Sequence, residues 1–248
     1  MPTPVVEVLA EADRLLEPER FEDSCVNGLQ VPGPAEVQRI ASGVSAHVEL
    51  FERAADAGAE LLLVHHGLFW GAGIRSIDAT LHGRLKVLFA AEMALAAYHL
   101  PLDAHPELGN AARLAARLGV EIEGPFLGFG VGARPSAPLP LAELVERVEA
   151  ATGREPLVFA EGPDPVRRIA IATGSAGHDL ILAARDGYDA YLTGEPEEPT
   201  LHTARELRIT FVAAGHYATE RLGVQALAEL LAREFGLEWE FLEIPNPV

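Results

Sequence analysis

The stretch Leu61-Leu62-Leu63-Val64-His65-His66-Gly67 determines how the rest of the chain is interpreted. Its four apolar residues run directly into two histidines and a glycine. A short unbroken apolar run is typical of a strand buried on both faces of a parallel sheet. In such sheets ligands bind beyond the carboxyl ends of the strands, which is where His65 and His66 lie. Adjacent strand residues point to opposite faces, so both rings reach one site only where the strand ends.

The segments around this strand predict an α/β protein. A strand at Val37–Val44 and a helix at His47–Ala57 precede it, and this β-α-β order implies a parallel pair. Helices are also predicted, from apolar spacing, at Val5–Leu16, Leu81–Ala91, Asn110–Leu118, Leu141–Ala151, His178–Arg185, Pro199–Leu207 and Glu220–Phe235. The other predicted strands are Met93–Leu100, Arg168–Thr173, Ala190–Thr193, Ile209–Ala213 and Glu238–Ile244. Both halves alternate in the same way, which indicates duplication.

Three stretches are predicted to be irregular. Phe21–Pro34 resembles a loop, and Gly67–Gly73 is a glycine-rich turn. The glycines and prolines of Gly124–Pro140 indicate a domain boundary or a crossover.

Composition excludes several classes of protein. The net charge is −18, with 37 acidic and 19 basic residues, and such a charge disfavours binding to nucleic acid phosphates but attracts divalent cations. No apolar run reaches the roughly 18–20 residues of a membrane span, and no secretory signal is recognisable. The single cysteine, Cys25, excludes an intramolecular disulfide and favours a reducing cytoplasm, with its sulfur a small buried apolar group.

Candidate site residues follow three predicted strands. His65 and His66 follow the first, and Asp103 follows the second, with His99 and His105 nearby. His216 and Glu220 follow the third. Their spacing of four puts both on one face of a first helical turn. Alternatively, Thr219 caps the helix, which leaves Glu220 just inside it.

Five of these residues, His65, His66, Asp103, His216 and Glu220, offer three imidazoles and two carboxylates. One zinc ion takes three or four protein ligands, and five donors with a bridging carboxylate suit two metal ions better. The donor types suit zinc, iron, manganese or cobalt alike. Any one histidine, taken alone, is more often a hydrogen-bonded structural residue.

Other motifs are weaker. The amides of Thr173–Gly177 would suit an anion, although a plain tight turn is the simpler interpretation. Glu195 is a candidate general base or a carboxylate behind a ligand, or else a solvated acid. His202 lies on a helix and is more often a surface residue or one behind a ligand. The chain has no Gly-x-Ser-x-Gly, no Cys-x-x-Cys and no basic stripe.

Several blocks resemble the NIF-three-like family, whose bacterial members are often named GTP cyclohydrolase I type 2 homologues. They are DSCVNGLQV, LLLVHHG, YHLPLDAHPELGN, YLTGEPEEPTLHTARELRITFVAAGHYATE and the EIPNP ending. The resemblance implies two intertwined α/β repeats with mostly parallel mixed sheets. We expect a first domain at residues 1–124 plus 224–248 and a second at 125–223.

The resemblance also implies a homohexameric ring, a trimer of dimers, with a dinuclear metal centre facing its cavity. Carried over by position, the metal ligands are His65, His66, Asp103, His216 and Glu220, with Glu220 bridging. One departure from the family is Gly67, where many relatives have proline. It loosens the turn and removes no ligand.

The leading expectation is a two-metal hydrolase acting on a small molecule, such as a purine nucleotide, with His99, His105 or Glu195 transferring protons. For a GTP cyclohydrolase, water attacks C8 of GTP and formate leaves. A second hypothesis is a protein that stores or delivers metal ions without turnover. A third is a ring-shaped protein that interacts with DNA or proteins, which the charge disfavours.

Overall fold

A computed structural model describes residues 2–71 and 76–248. Its contacts divide the chain into two compact units. The first unit comprises Met1–Leu102 and Gly223–Ile244, and the second comprises Asp103–Leu222 and Pro245–Val248. The chain therefore passes from the first unit to the second and returns, as expected of intertwined repeats.

The helices and strands follow each other in α/β order. The helices are α1 (Val5–Leu16), α2 (Val48–Asp56), α3 (Ala79–Ala90), α4 (Leu100–Asp103), α5 (Asn110–Leu118), α6 (Leu141–Thr152), α7 (Leu180–Arg185), α8 (Thr200–Leu207) and α9 (His216–Phe235). The strands are β1 (Thr3–Pro4), β2 (Gly28–Val31), β3 (Glu36–Val37), β4 (Arg39–Ser45), β5 (Leu61–His66), β6 (Ala94–Ala97), β7 (Glu121–Phe126), β8 (Gly130–Arg134), β9 (Leu157–Phe159), β10 (Ile169–Ile171), β11 (Ala190–Thr193), β12 (Thr210–Ala213) and β13 (Glu238–Phe241). Short 3₁₀ turns lie at Pro18–Arg20 and Gly177–Asp179.

The first unit is built on a five-stranded sheet of order β13-β4-β5-β6-β2. Its pairs are parallel except the last, β6 with β2, so the predicted parallel pairing of β4 with β5 is confirmed. Residues Leu61–Val64 of β5 are almost fully buried, which explains why this strand lacks polar alternation. The carboxyl ends of β5 and β6 lead to His66 and His99.

The second unit is built on a six-stranded sheet of order β7-β8-β10-β11-β12-β9. The central pairs, β10 with β11 and β11 with β12, are parallel, and the outer pairs are antiparallel. Buried side chains from α5, α6 and the sheet form one core, and α7 and α8 contribute to another. The mixed α/β class predicted from the sequence is confirmed.

The Gly124–Pro140 stretch contains most of the β-hairpin formed by β7 and β8, and residue 124, the predicted end of a domain segment, lies inside β7. Its glycines serve close packing as well as turns. A Cβ on Gly132 would overlap the hydroxyl of Tyr188, and one on Gly130 would overlap the Ile171 carbonyl. The hairpin belongs to the second sheet, and the compact units divide at Leu102, before it.

Two further differences concern β2 and α9. The predicted Phe21–Pro34 loop contains β2, which pairs with β6. Helix α9 begins at His216, and the Thr219 hydroxyl donates to the Gly215 carbonyl (2.8 Å) inside the first turn. Thr219 is therefore not the helix cap. Of the predicted Gly67–Gly73 turn, residues 72 and 73 lie outside the described residues.

Within the described part of the chain, no helix combines the length and the apolar character needed to cross a membrane.

Candidate metal centre

His65 and His66 are the last two residues of strand β5, which runs two residues beyond the predicted Leu61–Val64. The side chain of His65 is fully buried and that of His66 is partly exposed. Their ring centroids lie 4.7 Å apart. The two imidazole rings therefore lie close together at the strand end, although side chains along a strand alternate between its two faces.

A backbone carbonyl fixes the tautomer of His65. Its Nδ1 lies 2.9 Å from the Tyr98 carbonyl oxygen, which only accepts hydrogen bonds. Nδ1 therefore carries a proton, and Nε2 is the ring nitrogen that could bind a metal ion. His66 Nδ1 lies 3.0 Å from the Ser45 hydroxyl, a contact that suits the same tautomer.

His99 joins this pair. Its ring centroid lies 5.0 Å from that of His65 and 5.6 Å from that of His66. Its Nδ1 donates to Asp23 at 2.9 Å. The three histidines each offer a nitrogen, and these nitrogens all lie within 4.8 Å of one another. They form a group that could hold a metal ion.

The Asp23 carboxylate accepts several hydrogen bonds. It is almost completely buried and also takes hydrogen bonds from Cys25 N (2.9 Å), Asn27 Nδ2 (3.0 Å) and Leu100 N (2.9 Å). Burial alone would raise its pKa, but the bonds from His99, Asn27 and Cys25 N outweigh burial and hold the pKa well below its usual range. Asp23 is therefore ionised at neutral pH.

Trp70 lies beside these histidines. Its ring centroid is 5.1 Å from His99 and 5.9 Å from His66, and its Nε1 donates to the Gly67 carbonyl at 2.9 Å. The indole is 40% exposed and is held at the edge of the histidine group.

We expect Co²⁺ binding to the histidine group to quench tryptophan fluorescence, and most of the lost emission to come from Trp70, because its indole lies against two of the rings. A titration of metal-free protein measures this. Trp70→Phe should abolish the response, and Trp239→Phe, which removes the other tryptophan, should preserve it. A response carried by Trp239 alone would show that Co²⁺ binds elsewhere.

In the second unit, His216 and Glu220 lie one turn apart on α9. His216 Nε2 is 2.8 Å from Glu220 Oε2, and the Glu220 side chain is almost completely buried. On its other side, His216 Nδ1 donates to Glu195, which follows β11. The imidazole is thus held between two carboxylates.

These carboxylates keep the metal-free His216 protonated. Burial lowers its pKa, but the hydrogen bond and charge of Glu220, followed by those of Glu195, outweigh burial and raise the pKa to about 9. A metal ion that takes Nε2 must displace this proton.

We therefore expect metal binding at pH 7 to release about one proton from His216, and metal affinity to rise with pH until about 9. Calorimetry in buffers of different ionisation enthalpy measures the release. Glu195→Gln removes one cause of the raised pKa and should reduce the release. Heats that do not depend on the buffer would contradict the assignment.

Asp103, at the end of α4, has a partner of its own. Asn110 Nδ2 donates to Asp103 Oδ1 at 2.7 Å, and both side chains are buried. Gly109 allows this approach, because a Cβ there would overlap the backbone carbonyl of Asp103. Asp103 is thus a held carboxylate.

The other predicted residues have different surroundings. His105 Nδ1 accepts from Glu107 N (3.1 Å) and Leu108 N (3.0 Å), so it supports its own loop, and burial lowers its pKa against the charge of Glu107. His202 is exposed on α8, and Cys25 is buried. The Thr173–Gly177 segment is a tight turn: Gly174 packs against Glu220, and Tyr191 donates to the Ala176 carbonyl at 2.7 Å.

Sequence reasoning missed the residues behind the donors, namely Asp23, Ser45, Tyr98 and Asn110. A signal was available for Asp23, because DSCVNGLQV is one of the blocks that carry the family resemblance. Ser45 ends the strand beside β5. Tyr98 contacts His65 through its backbone carbonyl, so the identity of its side chain does not predict the contact.

The sequence matches the family DUF34/NIF3 (NGG1p interacting factor 3) over residues 3–247. A protein of Pseudomonas aeruginosa named "GTP cyclohydrolase 1 type 2 homolog" is 46% identical over 248 residues, which cover 97% of each chain. A protein of Escherichia coli K12 with the same name is 44% identical over 228 residues, 92% of each.

Solved structures agree with these matches. One titled "protein ybgI, unknown function" has a TM-score of 0.95 at 42% identity, covering 99% of this chain and all of the other. The structure of TTHA1606 from Thermus thermophilus has a TM-score of 0.92 at 36% identity, with the same coverage.

Proposed function

Because the chain belongs to the DUF34/NIF3 family, we propose that it is a metal-dependent hydrolase that uses two divalent ions to act on a purine nucleotide. The proposed ligands are His65, His66, Asp103, His216 and Glu220. That the five act as one centre rests on the family resemblance. The structure contributes the state of each donor within its own unit.

The observation that carries the proposal is how the imidazoles are held. In His65, His66 and His216, Nδ1 is hydrogen-bonded to a carbonyl, a hydroxyl or a carboxylate, and Nε2 is the nitrogen that we propose binds the metal. In His216 this nitrogen lies 2.8 Å from Glu220 Oε2, the other proposed ligand on α9. Metal-binding histidines in proteins have this arrangement, because the outer partner fixes the ring and raises its basicity. Neutral imidazoles and buried carboxylates suit first-row divalent ions, so the donor set fits the ions that the family resemblance implies.

Bound ions of this kind lower the pKa of water and stabilise developing negative charge. The chain's own residues hold and orient the donors. Glu195 is engaged with His216, so in this proposal it acts through that ring. His105 is engaged with backbone amides. A role in proton transfer stays a prediction for His99 and His105.

GTP is the substrate to test, since the names of the relatives refer to it. We expect metal-loaded protein to release formate from GTP, chelation to abolish release, and added Zn²⁺, Mn²⁺, Fe²⁺ or Co²⁺ to restore it. His66→Ala should lose the activity, and His202→Ala, which removes an exposed histidine, should keep it. If the protein binds metal but hydrolyses no purine nucleotide, the proposed hydrolase activity is wrong.

That last result would favour metal storage or delivery, which the net charge of −18 supports by attracting cations. The same charge disfavours a DNA-binding ring. A homohexamer is the proposed assembly, on the resemblance alone. The cytoplasm is the proposed location, because a single cysteine favours a reducing compartment. Sedimentation should give about six times the 26.5 kDa chain mass.

A further inference from the structure

Trp70 presents an aromatic ring to solvent beside the histidines, and the function proposed above gives this ring no role. The indole centroid lies 5.1 Å from that of His99 and 5.9 Å from that of His66. Its plane is inclined by 73° to the first ring and by 50° to the second, so neither imidazole is stacked on the indole face. Because the residue is 40% exposed, a large aromatic surface is accessible next to the proposed centre.

The indole is held in position by its own loop and by the segment before β2. Its Nε1 donates to the Gly67 carbonyl at 2.9 Å, which fixes the orientation of the ring. In the backbone, Val26 N donates to the Phe69 carbonyl at 3.0 Å, and Cys25 forms an antiparallel bridge with Trp70. A side chain that is already ordered loses little conformational entropy when a flat partner binds to it.

A rigid and accessible indole is a suitable surface for a second flat ring. Nucleobases stack on aromatic side chains, and the contact accepts every base because every base has a π-face. A base stacked on Trp70 would lie next to His66 and His99, beside the proposed metal centre. The contact carries no charge, so the net charge of −18, which repels phosphate groups, does not weaken it.

We propose that Trp70 is a substrate-binding residue on which the purine base stacks, so that the site selects ligands with a flat aromatic ring over sugar phosphates that lack one. The proposal rests on the function proposed above and names the part of the substrate that these residues recognise. In this role Trp70 orients the base, and it neither coordinates metal nor transfers protons.

The fluorescence of Trp239→Phe tests the contact, because Trp70 is the only tryptophan left in that variant. The protein is loaded with Zn²⁺, whose filled d shell makes it a poor quencher. We expect guanosine 5′-monophosphate (GMP) to quench the emission of Trp70, because a stacked base quenches an indole. Ribose 5-phosphate, which is GMP without its base, should leave the emission unchanged. Equal responses to the two ligands, or no response to either, would overturn the proposal.

Affinity for GMP, measured by equilibrium dialysis, gives a second readout. Base–aromatic stacking typically contributes about 5- to 150-fold in Kd, so we expect Trp70→Leu to weaken binding by a factor in this range. Trp70→Phe, which restores an aromatic ring, should recover most of the affinity, and the metal content of Trp70→Leu should equal that of wild type. Phe89→Leu, which removes an exposed aromatic ring of α3, is the matched control and should bind like wild type.

If Trp70→Leu lost metal together with its affinity for GMP, the indole would support the imidazoles instead, and the proposal would be wrong. If wild type released formate from GTP and Trp70→Leu kept the wild-type KM, the hydrolase would stand and the stacking role would fail. If GMP quenched Trp70 but GTP was not hydrolysed, stacking would stand and the hydrolase would fail. If Trp70→Leu did not fold, the comparison of the two ligands in Trp239→Phe would decide.

Discussion

If the chain holds the two ions proposed above, replacing Glu220 by glutamine should leave it folded and reduce its metal content from two ions per protomer to one or none. Glutamine has nearly the same shape but no charge, so it cannot bridge two cations as a carboxylate does. The Glu220 side chain is almost completely buried and lies 2.8 Å from His216 Nε2, so few other groups can replace it. We expect affinity to fall by at least about 100-fold, because the variant loses a ligand itself, beyond the roughly 10–100-fold effect of losing a residue behind one.

Plasma mass spectrometry on dialysed protein measures the content. Glu198→Gln is the matched control: it removes one negative charge from an exposed position and should keep both ions. NMR titration of metal-free protein gives an independent readout, since Glu220 is the main cause of the raised pKa of His216. In Glu220→Gln this pKa should fall from about 9 towards that of an ordinary histidine. Full metal content in the variant would remove Glu220 from the ligand set.

The sequence predicted β5 and the donors at its end because that information is local. An apolar run and the residue types after it lie within seven positions, Leu61–Gly67. The same holds for β11, β12 and the spacing of His216 and Glu220. These features depend on burial and periodicity, which a single segment displays.

What sequence reasoning missed depends on contacts between distant segments. Asp23 meets His99 across 76 positions, and Glu195 meets His216 across 21. No local pattern distinguishes such an acid from a solvated one, so Glu195 had several interpretations. The hairpin of β7 and β8 was missed for a related reason: Gly130 and Gly132 are small because neighbouring groups pack on them, which a sequence shows only as a loop-like composition.

Gly174 makes a similar contact at the proposed metal centre, and Gly174→Ala should reduce both stability and metal binding. Its φ is +68°, in the left-handed region, and an added Cβ would overlap Oε1 of Glu220 and lie 3.3 Å from His216 Nε2. The backbone at Gly174 cannot easily move away from Glu220, because it is hydrogen-bonded on both sides. Gly174 N donates to the Thr219 hydroxyl (3.2 Å), and its carbonyl accepts from Gly194 N (3.0 Å). Glu220 must therefore move.

Two other glycines separate the causes of this loss. Gly128 has φ of +83° and open space around it, so Gly128→Ala should pay only the backbone cost, about 1–2 kcal/mol. Gly83 lies in helix α3 with nothing near its missing Cβ, so Gly83→Ala should be neutral or stabilising by about 0.5–1 kcal/mol. Gly174→Ala should add about 1–3 kcal/mol of overpacking to the backbone cost. Denaturant unfolding of the metal-free variants gives these differences in the free energy of unfolding.

Of the three variants only Gly174→Ala should weaken metal binding, by about 100-fold, because it alone displaces a donor. If Gly174→Ala matched Gly128→Ala in stability and kept its metal, the turn would not set the position of Glu220.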